Sequence, residues 1–289
     1  MGNFLRKARR APKRGVQERR TFDGEGSLIQ GSTHGPHVSK AEAPTFKMAF
    51  FMRASGASNA ELISRMRAMG SIKSGRVADV MTAVDRGLFV PSDEEPYFDV
   101  PQPIGYNATI SAPHMHAHCL DLLEDRLQPG ARALDVGSGT GYLTACFGMM
   151  VDGKGGKAVG VEHIKVTSLL AELTESSKSN VRKSAAGHLL DKGVIELHTG
   201  DGRKGWPTAA PYDVIHVGAA ASGTPRELLQ QLKPGGRMVC PVGDALDQHL
   251  MVYDKSPTGD SIRERAATAV RYVPLIDEKD QRNRRPGLF

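Results

Sequence analysis

Three glycines fall within five residues, Gly137-Ser138-Gly139-Thr140-Gly141, between two apolar runs. The first run is Ala133-Leu134-Asp135-Val136 and the second is Tyr142-Leu143-Thr144-Ala145-Cys146-Phe147. A backbone without Cβ atoms can turn through conformations closed to other residues and approach a ligand closely. The spacing therefore predicts a buried strand over 131–136, a tight glycine turn, and a helix opening at Tyr142. This is the first βα turn of a doubly wound sheet, where ligands bind at the carboxyl ends of the strands. The alternative is a glycine-rich turn with no ligand.

The dinucleotide fingerprint is G-x-G-x-x-G, whose backbone N–H groups meet a pyrophosphate. Here the pattern is G-x-G-x-G, with Asp135 two positions before the first glycine. That form resembles motif I of the S-adenosylmethionine-dependent methyltransferases. Their ligand carries an ammonium, which an acidic network near Asp135 would receive, and no phosphate. The next strand, Lys157-Ala-Val-Gly-Val161, ends at Glu162, 21 residues after Gly141. An acid about 20 residues past the glycines accepts ribose hydroxyls, and a carboxylate can take two donors at once. At a third strand end, Asp201 stands between Gly200 and Gly202, placed to accept from an adenine amino group. A plain strand-end Glu and an Asp-Gly turn are the competing readings.

The remaining elements alternate. Ser58-Asn-Ala-Glu61 is a capping box for a helix with Leu62, Ile63, Met66 and Met69 on one face. A second helix is expected over 75–84. Residues 97–103 read as irregular, because their prolines forbid a helix. A helix follows from His114 to about Leu127, and a long helical region to about Leu190. Further strands are expected at 194–198, 212–217, 238–242, about 249–254 and about 267–273, with a helix at 226–232. Strands alternate with helices and then follow one another. The fold class is thus α/β: a doubly wound, mostly parallel seven-stranded sheet with an antiparallel end.

Charge divides the chain. Residues 1–47 hold ten Lys/Arg and four Asp/Glu, and the rest holds 28 of each, so the whole +6 belongs to the beginning. That segment includes Arg6-Lys7-Ala8-Arg9-Arg10 and few large aliphatics. It reads as a disordered basic tail, before a domain of residues 48–289 that comprises a helical and loop part (48–113) and an α/β core (114–289). Such a tail is a nuclear signal or nucleic-acid contact, an organellar transit peptide, or solvated chain without function. No apolar run approaches the roughly 18 residues of a membrane span. Cys119, Cys146 and Cys240 form no C-x-x-C, which suits a reducing compartment and argues against a zinc ribbon.

Ser111 stands just before the His114 helix, as a helix-start hydroxyl or a functional one. His114 and His118 share a helix face, but no Glu intervenes as in H-E-x-x-H, so no metal is expected. Ser138 lacks the first glycine of a nucleophile elbow, so a hydrolase is not expected.

From about Phe51 to Gln281 the chain resembles the protein-L-isoaspartate (D-aspartate) O-methyltransferases. The resemblance lies in Ile104-Gly-Tyr-Asn-Ala-Thr-Ile-Ser-Ala-Pro-His-Met-His116, Leu134–Phe147, Val161-Glu-His-Ile164, Gly200-Asp-Gly-Arg203, Ala210–Ala221, Gln231–Arg237 and Arg271-Tyr-Val-Pro-Leu275. It implies that Ser111 is the active-site serine. It implies cofactor contacts at Ala108, Thr109, Ile110, Ser111, His116, Asp135, Gly137, Ser138, Gly139, Gly141, Glu162, His163, Leu173, Gly200, Asp201, Gly202 and Gln281. The implied reaction moves a methyl group from S-adenosyl-L-methionine to the free carboxylate of isoaspartyl or D-aspartyl residues in damaged proteins, leaving S-adenosyl-L-homocysteine. A monomeric cytoplasmic enzyme without membrane contact is expected, with nucleic acid met at most through the tail. The alternatives are a carboxyl methyltransferase for another protein or small acid, and an RNA-associated cofactor-binding protein. Two departures stand out. Residues 166–171 look inserted ahead of Leu173, and Ile276 stands where relatives carry Thr.

The chemistry suits the residues. A carboxylate is ionised at neutral pH and needs no base. The work is alignment for in-line attack, to which a hydroxyl such as Ser111 contributes about 1.5–3 kcal/mol through a bond to a charged partner.

Overall fold

The protein is described by a computed structural model covering residues 54–92, 94–163 and 173–283. The described residues belong to a compact unit running from Pro44 to Phe289. The basic segment 1–47 and the inserted residues 166–171 lie outside the described residues.

The chain begins with α1 (Asn59–Ala68) and α2 (Gly75–Ala83). Ser58 caps α1 by accepting the Glu61 N–H, while Glu61 Oε2 accepts from the Ala57 N–H at 2.8 Å, one residue earlier than a standard capping box. A short hairpin follows, β1 (Gln102–Gly105) and β2 (Ala108–Ile110), then α3 (Pro113–Leu123). The glycine turn joins β3 (Arg132–Val136) to α4 (Tyr142–Val151), and β4 (Lys157–Glu162) follows. Next come α5 (Leu173–Lys183), α6 (Gly187–Asp191), β5 (Ile195–Thr199), β6 (Tyr212–Val217) and α7 (Arg226–Gln230). The chain then runs through β7 (Leu232–Gly243), β8 (Gln248–Lys255), β9 (Ile262–Val270) and α8 (Glu278–Asn283).

The large sheet has the order β5-β4-β3-β6-β7-β8-β9. The strands from β5 to β7 are parallel, and β7, β8 and β9 pair antiparallel. The seven-stranded, mostly parallel expectation therefore holds. Successive residues feed opposite faces, as the strand period requires. Ala133, Ala158 and Val214 enter the core under α1 to α6. Leu134, Val136, Val159, Val161, Ile215 and Val217 enter a second core with Leu228 and Leu229 of α7. Order reverses beside β3: the chain walks outward through β4 and β5, then returns to place β6 on the other side. The crevice beyond β3, β4 and β6 is the switch point where open α/β sheets bind ligands.

Several boundaries differ from expectation, each for a physical reason. Residues 97–103, expected to be irregular, end in the start of β1, and the β1–β2 hairpin that follows was not expected; its tip puts Gly105, Tyr106 and Asn107 at positive φ. The long helix before Leu190 breaks where Ser184 Oγ accepts from the Ala186 N–H and where a Cβ on Gly187 would stand 2.5 Å from the Arg182 carbonyl. The helix expected over 226–232 stops at Gln230, because Leu232 already pairs with Tyr212. Residues 233–236 then bulge before Arg237 pairs with Val214. The last strand runs over Ile262–Val270 rather than 267–273. Its residues are mostly exposed, and its first half carries the charged run Arg263-Glu264-Arg265, so it shows no apolar alternation and suits a sheet edge.

Candidate functional site

Gly137, Gly139 and Gly141 all have positive φ. At Gly139 a side chain would also crowd Ile104 Cδ1 at 3.1 Å, and at Gly141 it would crowd Ser177 Cβ at 3.1 Å. The turn is anchored on β4: the Gly137 and Ser138 N–H groups donate to the Val161 carbonyl at 2.9 and 3.2 Å. The Gly139 N–H donates to Glu162 Oε2 at 3.0 Å, and the His163 N–H donates to Oε1 at 2.8 Å. Glu162 thus points back over the glycine turn.

A narrow cleft opens there. Of the expected contacts, Ala108, Thr109, Gly137, Gly139, Glu162, His163, Gly202 and Gln281 line it, together with Ile104, Val136, Val161, Gly218, Ala219, Val273, Pro274 and Leu275. Gln281 closes one side. It bonds His163 Nε2 through Oε1 at 2.7 Å and donates from Nε2 to the Tyr106 carbonyl at 3.2 Å, while its own carbonyl accepts from Asn107 Nδ2 at 3.0 Å. Positive φ at Tyr106 is costly for a bulky residue, and these bonds hold the hairpin tip in place. Among the described residues the lining contains no Lys or Arg, which does not suit a pyrophosphate. It suits an uncharged nucleoside with hydroxyls for Glu162. A wider, more open depression lined by Lys204, Pro207, Pro211 and Gln231 lies at the opposite end of β6.

The other expected residues sit deeper or turn elsewhere. Ile110 and Leu173 are buried in the core, and Ser138 is buried beside the turn. Gly141 starts α4. Asp201 accepts from the Arg203 backbone and guanidinium at 2.9–3.1 Å, which lowers its carboxyl pKa. It does not line the cleft, nor does Gly200, where a Cβ would stand 3.3 Å from the Trp206 ring. Asp135 is 2 % exposed, with Oδ1 2.8 Å from His216 Nδ1 and Oδ2 accepting from Thr144 Oγ1 at 2.6 Å. It braces β3 to β6 and α4, and both its oxygens are engaged before any ligand ammonium arrives.

Ser111 follows β2, but the cap position of α3 falls on Ala112, so Ser111 does not serve as the helix-start hydroxyl. Burial raises the pKa of the Tyr272 phenol and the Ser111 hydroxyl lowers it; the Gln248 side chain holds the Tyr272 backbone, Oε1 accepting from its N–H at 2.7 Å and Nε2 donating to its carbonyl at 3.2 Å. His116 is buried, with its ring 5.0 Å from that of Tyr142 and its Nδ1 3.5 Å from Arg86 Nη1. Burial, with the positive neighbours Arg86, His216 and His114, holds its pKa well below the usual histidine value, so the imidazole is neutral. Arg86 is itself 1 % exposed, and burial brings its pKa down to about 10. Of the helix-face histidines, His114 is tied to Asp99 Oδ1 at 2.9 Å. Among the described residues no three His, Cys, Asp or Glu side chains gather as a metal would need.

Sequence reasoning passed over Arg86, Thr144, His216, Gln248 and Tyr272. The signal for His216 was available: Asp135 and His216 are polar residues in apolar strands, and they fall side by side in the β3–β6 register. Tyr272 and Gln248 carried no such mark.

Comparison with known proteins agrees with this geometry. Residues 57–280 match the family model described as "Protein-L-isoaspartate(D-aspartate) O-methyltransferase (PCMT)". The chain is 56 % identical over 237 residues to protein-L-isoaspartate O-methyltransferase 2 of Arabidopsis thaliana, covering 82 % of this chain and 74 % of that one. It is 46 % identical over 232 residues to the Caenorhabditis elegans protein-L-isoaspartate O-methyltransferase, covering 80 % and 98 %. A solved Plasmodium falciparum structure, described as a protein-L-isoaspartate O-methyltransferase in complex with S-adenosyl-L-homocysteine, superposes with a TM-score of 0.68 at 30 % identity over 76 % of this chain and 99 % of that one.

Proposed function

The chain belongs to the protein-L-isoaspartate (D-aspartate) O-methyltransferase family, and from that footing we propose how its own residues carry the family reaction. The protein methylates the free carboxylate of isoaspartyl residues in damaged proteins, with S-adenosyl-L-methionine as cofactor and S-adenosyl-L-homocysteine as product. The cofactor supplies the methyl group as a sulfonium electrophile. The rest of the chemistry falls to the protein: hold two partners in line, exclude water, and orient an anion already charged at neutral pH.

In our reading, Glu162 accepts the ribose hydroxyls. The observation that carries this is its position: a carboxylate on the cleft wall, at the carboxyl end of β4, aimed over the glycine turn by the Gly139 and His163 N–H groups. Ala108, Thr109, Gly137, Gly139, His163, Gly202 and Gln281 complete the cofactor wall. Asp135 acts from behind the wall by fixing the glycine turn. Asp201 reaches an adenine amino group only after partial release from Arg203. Ser111 donates to the substrate carboxylate. His116, neutral, presents a ring N–H from the same helix start. The Ser111 role is tested with Ser111→Ala on an isoaspartyl peptide. Loss of one bond to a charged partner lowers kcat roughly ten- to hundredfold, with S-adenosyl-L-homocysteine binding retained. Undiminished turnover would remove Ser111 from the reaction.

We further read residues 48–289 as the catalytic domain, acting as a monomer in the cytoplasm. Residues 1–47 are read as a separate basic segment whose part is targeting rather than catalysis. No helix among the described residues is long and apolar enough to cross a membrane. Removing residues 1–47 is expected to leave turnover intact and shift distribution in cells; unchanged distribution would dismiss the targeting role.

A further inference from the structure

Arg86 is the bulkiest of the fully buried side chains, 1 % exposed, and no step above uses it. Its backbone is fixed just after α2. There Asn59 of α1 accepts from the Arg86 N–H at 3.4 Å and donates to the Met81 and Thr82 carbonyls at 2.9 and 3.1 Å. Its side chain is fixed as well: Nε donates to the Pro96 carbonyl at 2.9 Å, and the guanidinium carbon lies 5.9 Å from the centre of the Tyr142 ring at the start of α4. Nη1 faces His116 Nδ1 at 3.5 Å. Among the described residues Nη2 has no hydrogen-bond partner, and neither has Oδ2 of the buried Asp99, whose Oδ1 is taken by the His114 N–H at 2.8 Å. A buried cation without a bonded carboxylate costs stability. Apolar side chains of similar volume fill such a space without that cost, so packing alone does not account for a guanidinium here.

We propose that Arg86 is a positioning residue that fixes the tautomer of His116, Nη1 donating to Nδ1 so that the single ring proton sits on Nε2 and is left for the ligand. The proposal rests on the reading above that His116 presents a ring N–H to the site. A guanidinium has five donors and no acceptor, and a neutral imidazole has one nitrogen of each kind. A proton on Nδ1 would set two N–H groups against each other and leave Nε2 as a lone pair. The ring does not escape the choice by taking a second proton, because burial and the neighbours Arg86, His216 and His114 keep it neutral. Its plane is set from another side. The Tyr142 ring lies 5.0 Å away at a tilt of 34°, and Phe89 holds Tyr142 edge-on at 5.5 Å. Tyr142 thus orients the imidazole and Arg86 decides its polarity. A donor at Nε2 suits a ligand oxygen and rejects an ammonium.

Nuclear magnetic resonance of isotope-labelled histidine ring nitrogens reads the tautomer directly in the full-length protein without cofactor, the His116 signals being those lost in His116→Phe. Native His116 is expected to carry its proton on Nε2, with Nδ1 bare. Arg86→Met keeps much of the volume and removes the donor. The Nδ1–H form should then appear, and kcat/KM for S-adenosyl-L-methionine on an isoaspartyl peptide should fall about three- to tenfold, the effect of one neutral hydrogen bond. Arg86→Lys keeps a cation that can only donate, and should retain the Nε2–H form and most of the activity. In the His116→Phe background Arg86→Met should cost nothing further in kcat/KM, because no imidazole remains to orient. A proton on Nδ1 in the native protein, an unchanged tautomer in Arg86→Met, or additive losses in the double variant would overturn the proposal. If Arg86→Met does not fold, the native tautomer and Arg86→Lys still decide: an Nδ1–H form in either overturns it. Wild-type protein inactive on the peptide overturns the reading of the site. An active wild type with Nδ1 protonated overturns this proposal alone.

Discussion

The Asp135–His216 pair gives a prediction whose size follows from its geometry. Asp135→Asn keeps the shape and removes the charge. In the native protein the Asp135 oxygens lie 2.8 Å from His216 Nδ1 and 2.6 Å from Thr144 Oγ1, with Asp135 2 % and His216 5 % exposed. Burial works against a charged imidazole, but the bonds to Asp135 and Cys119 outweigh it and raise the His216 pKa from 6.5 to about 10. A folded-state pKa raised in this way adds stability that is complete below the unfolded value and fades as pH climbs through the folded one. Between those two values the linkage is bounded at about 5 kcal/mol, and removing one member of a buried pair costs about 3–5 kcal/mol. The Asn variant should therefore be less stable by about 3 kcal/mol near neutral pH, with Tm lower by roughly 6–12 °C for a domain of this size. Thermal unfolding without cofactor, followed by circular dichroism at about pH 7 and about pH 10.5, checks it. The gap between native and variant protein should shrink at the higher pH, where native His216 has lost its extra proton. An equal gap at both pH values, or none at neutral pH, would refute the charged-pair reasoning.

Two further outcomes follow. Glu162→Ala should weaken S-adenosyl-L-methionine binding about tenfold or more while Glu162→Gln loses less; calorimetry reads both, and an unchanged Kd in Glu162→Ala would remove it from the ribose site. Gly148→Ala would set a Cβ 2.4 Å from Ile195 Cγ1, an overpacking that costs about 1–3 kcal/mol. Its Tm should fall, and Ile195→Val should restore part of the loss; an unaltered Tm would mean that this helix–sheet contact has slack.

How much of this could be read from the chain depends on which residues left a periodic trace. The parallel strands did, because both faces are covered and their apolar runs are continuous. The glycine turn and Glu162 did as well, since backbone freedom and strand-end acidity are local properties. The hairpin at Gly105-Tyr106-Asn107 did not, because its turn lacks the usual Asn-Gly pair and flanking prolines masked its strands. The exposed edge strand at 262–270 was hidden for the opposite reason: only Ala267 and Val270 of it pack on the core, too few to leave an alternating trace. Within the site, Asp135 was expected to meet a ligand, and the structure adds its bonds to His216 and Thr144, which brace the sheet. Asp201 turns to Arg203, a partner two residues away whose pull spacing alone did not reveal. The Gln248 clamp on Tyr272 joins residues 24 apart through a side chain. No local pattern encodes such a bond; it exists only once β8 and the chain after β9 have been brought together.

The most direct measurement of the central claim is methyl transfer from radiolabelled S-adenosyl-L-methionine to two synthetic peptides, identical except that one carries isoaspartate and the other normal aspartate. The account predicts label on the isoaspartyl peptide alone. Equal labelling of both, or of neither, would contradict it.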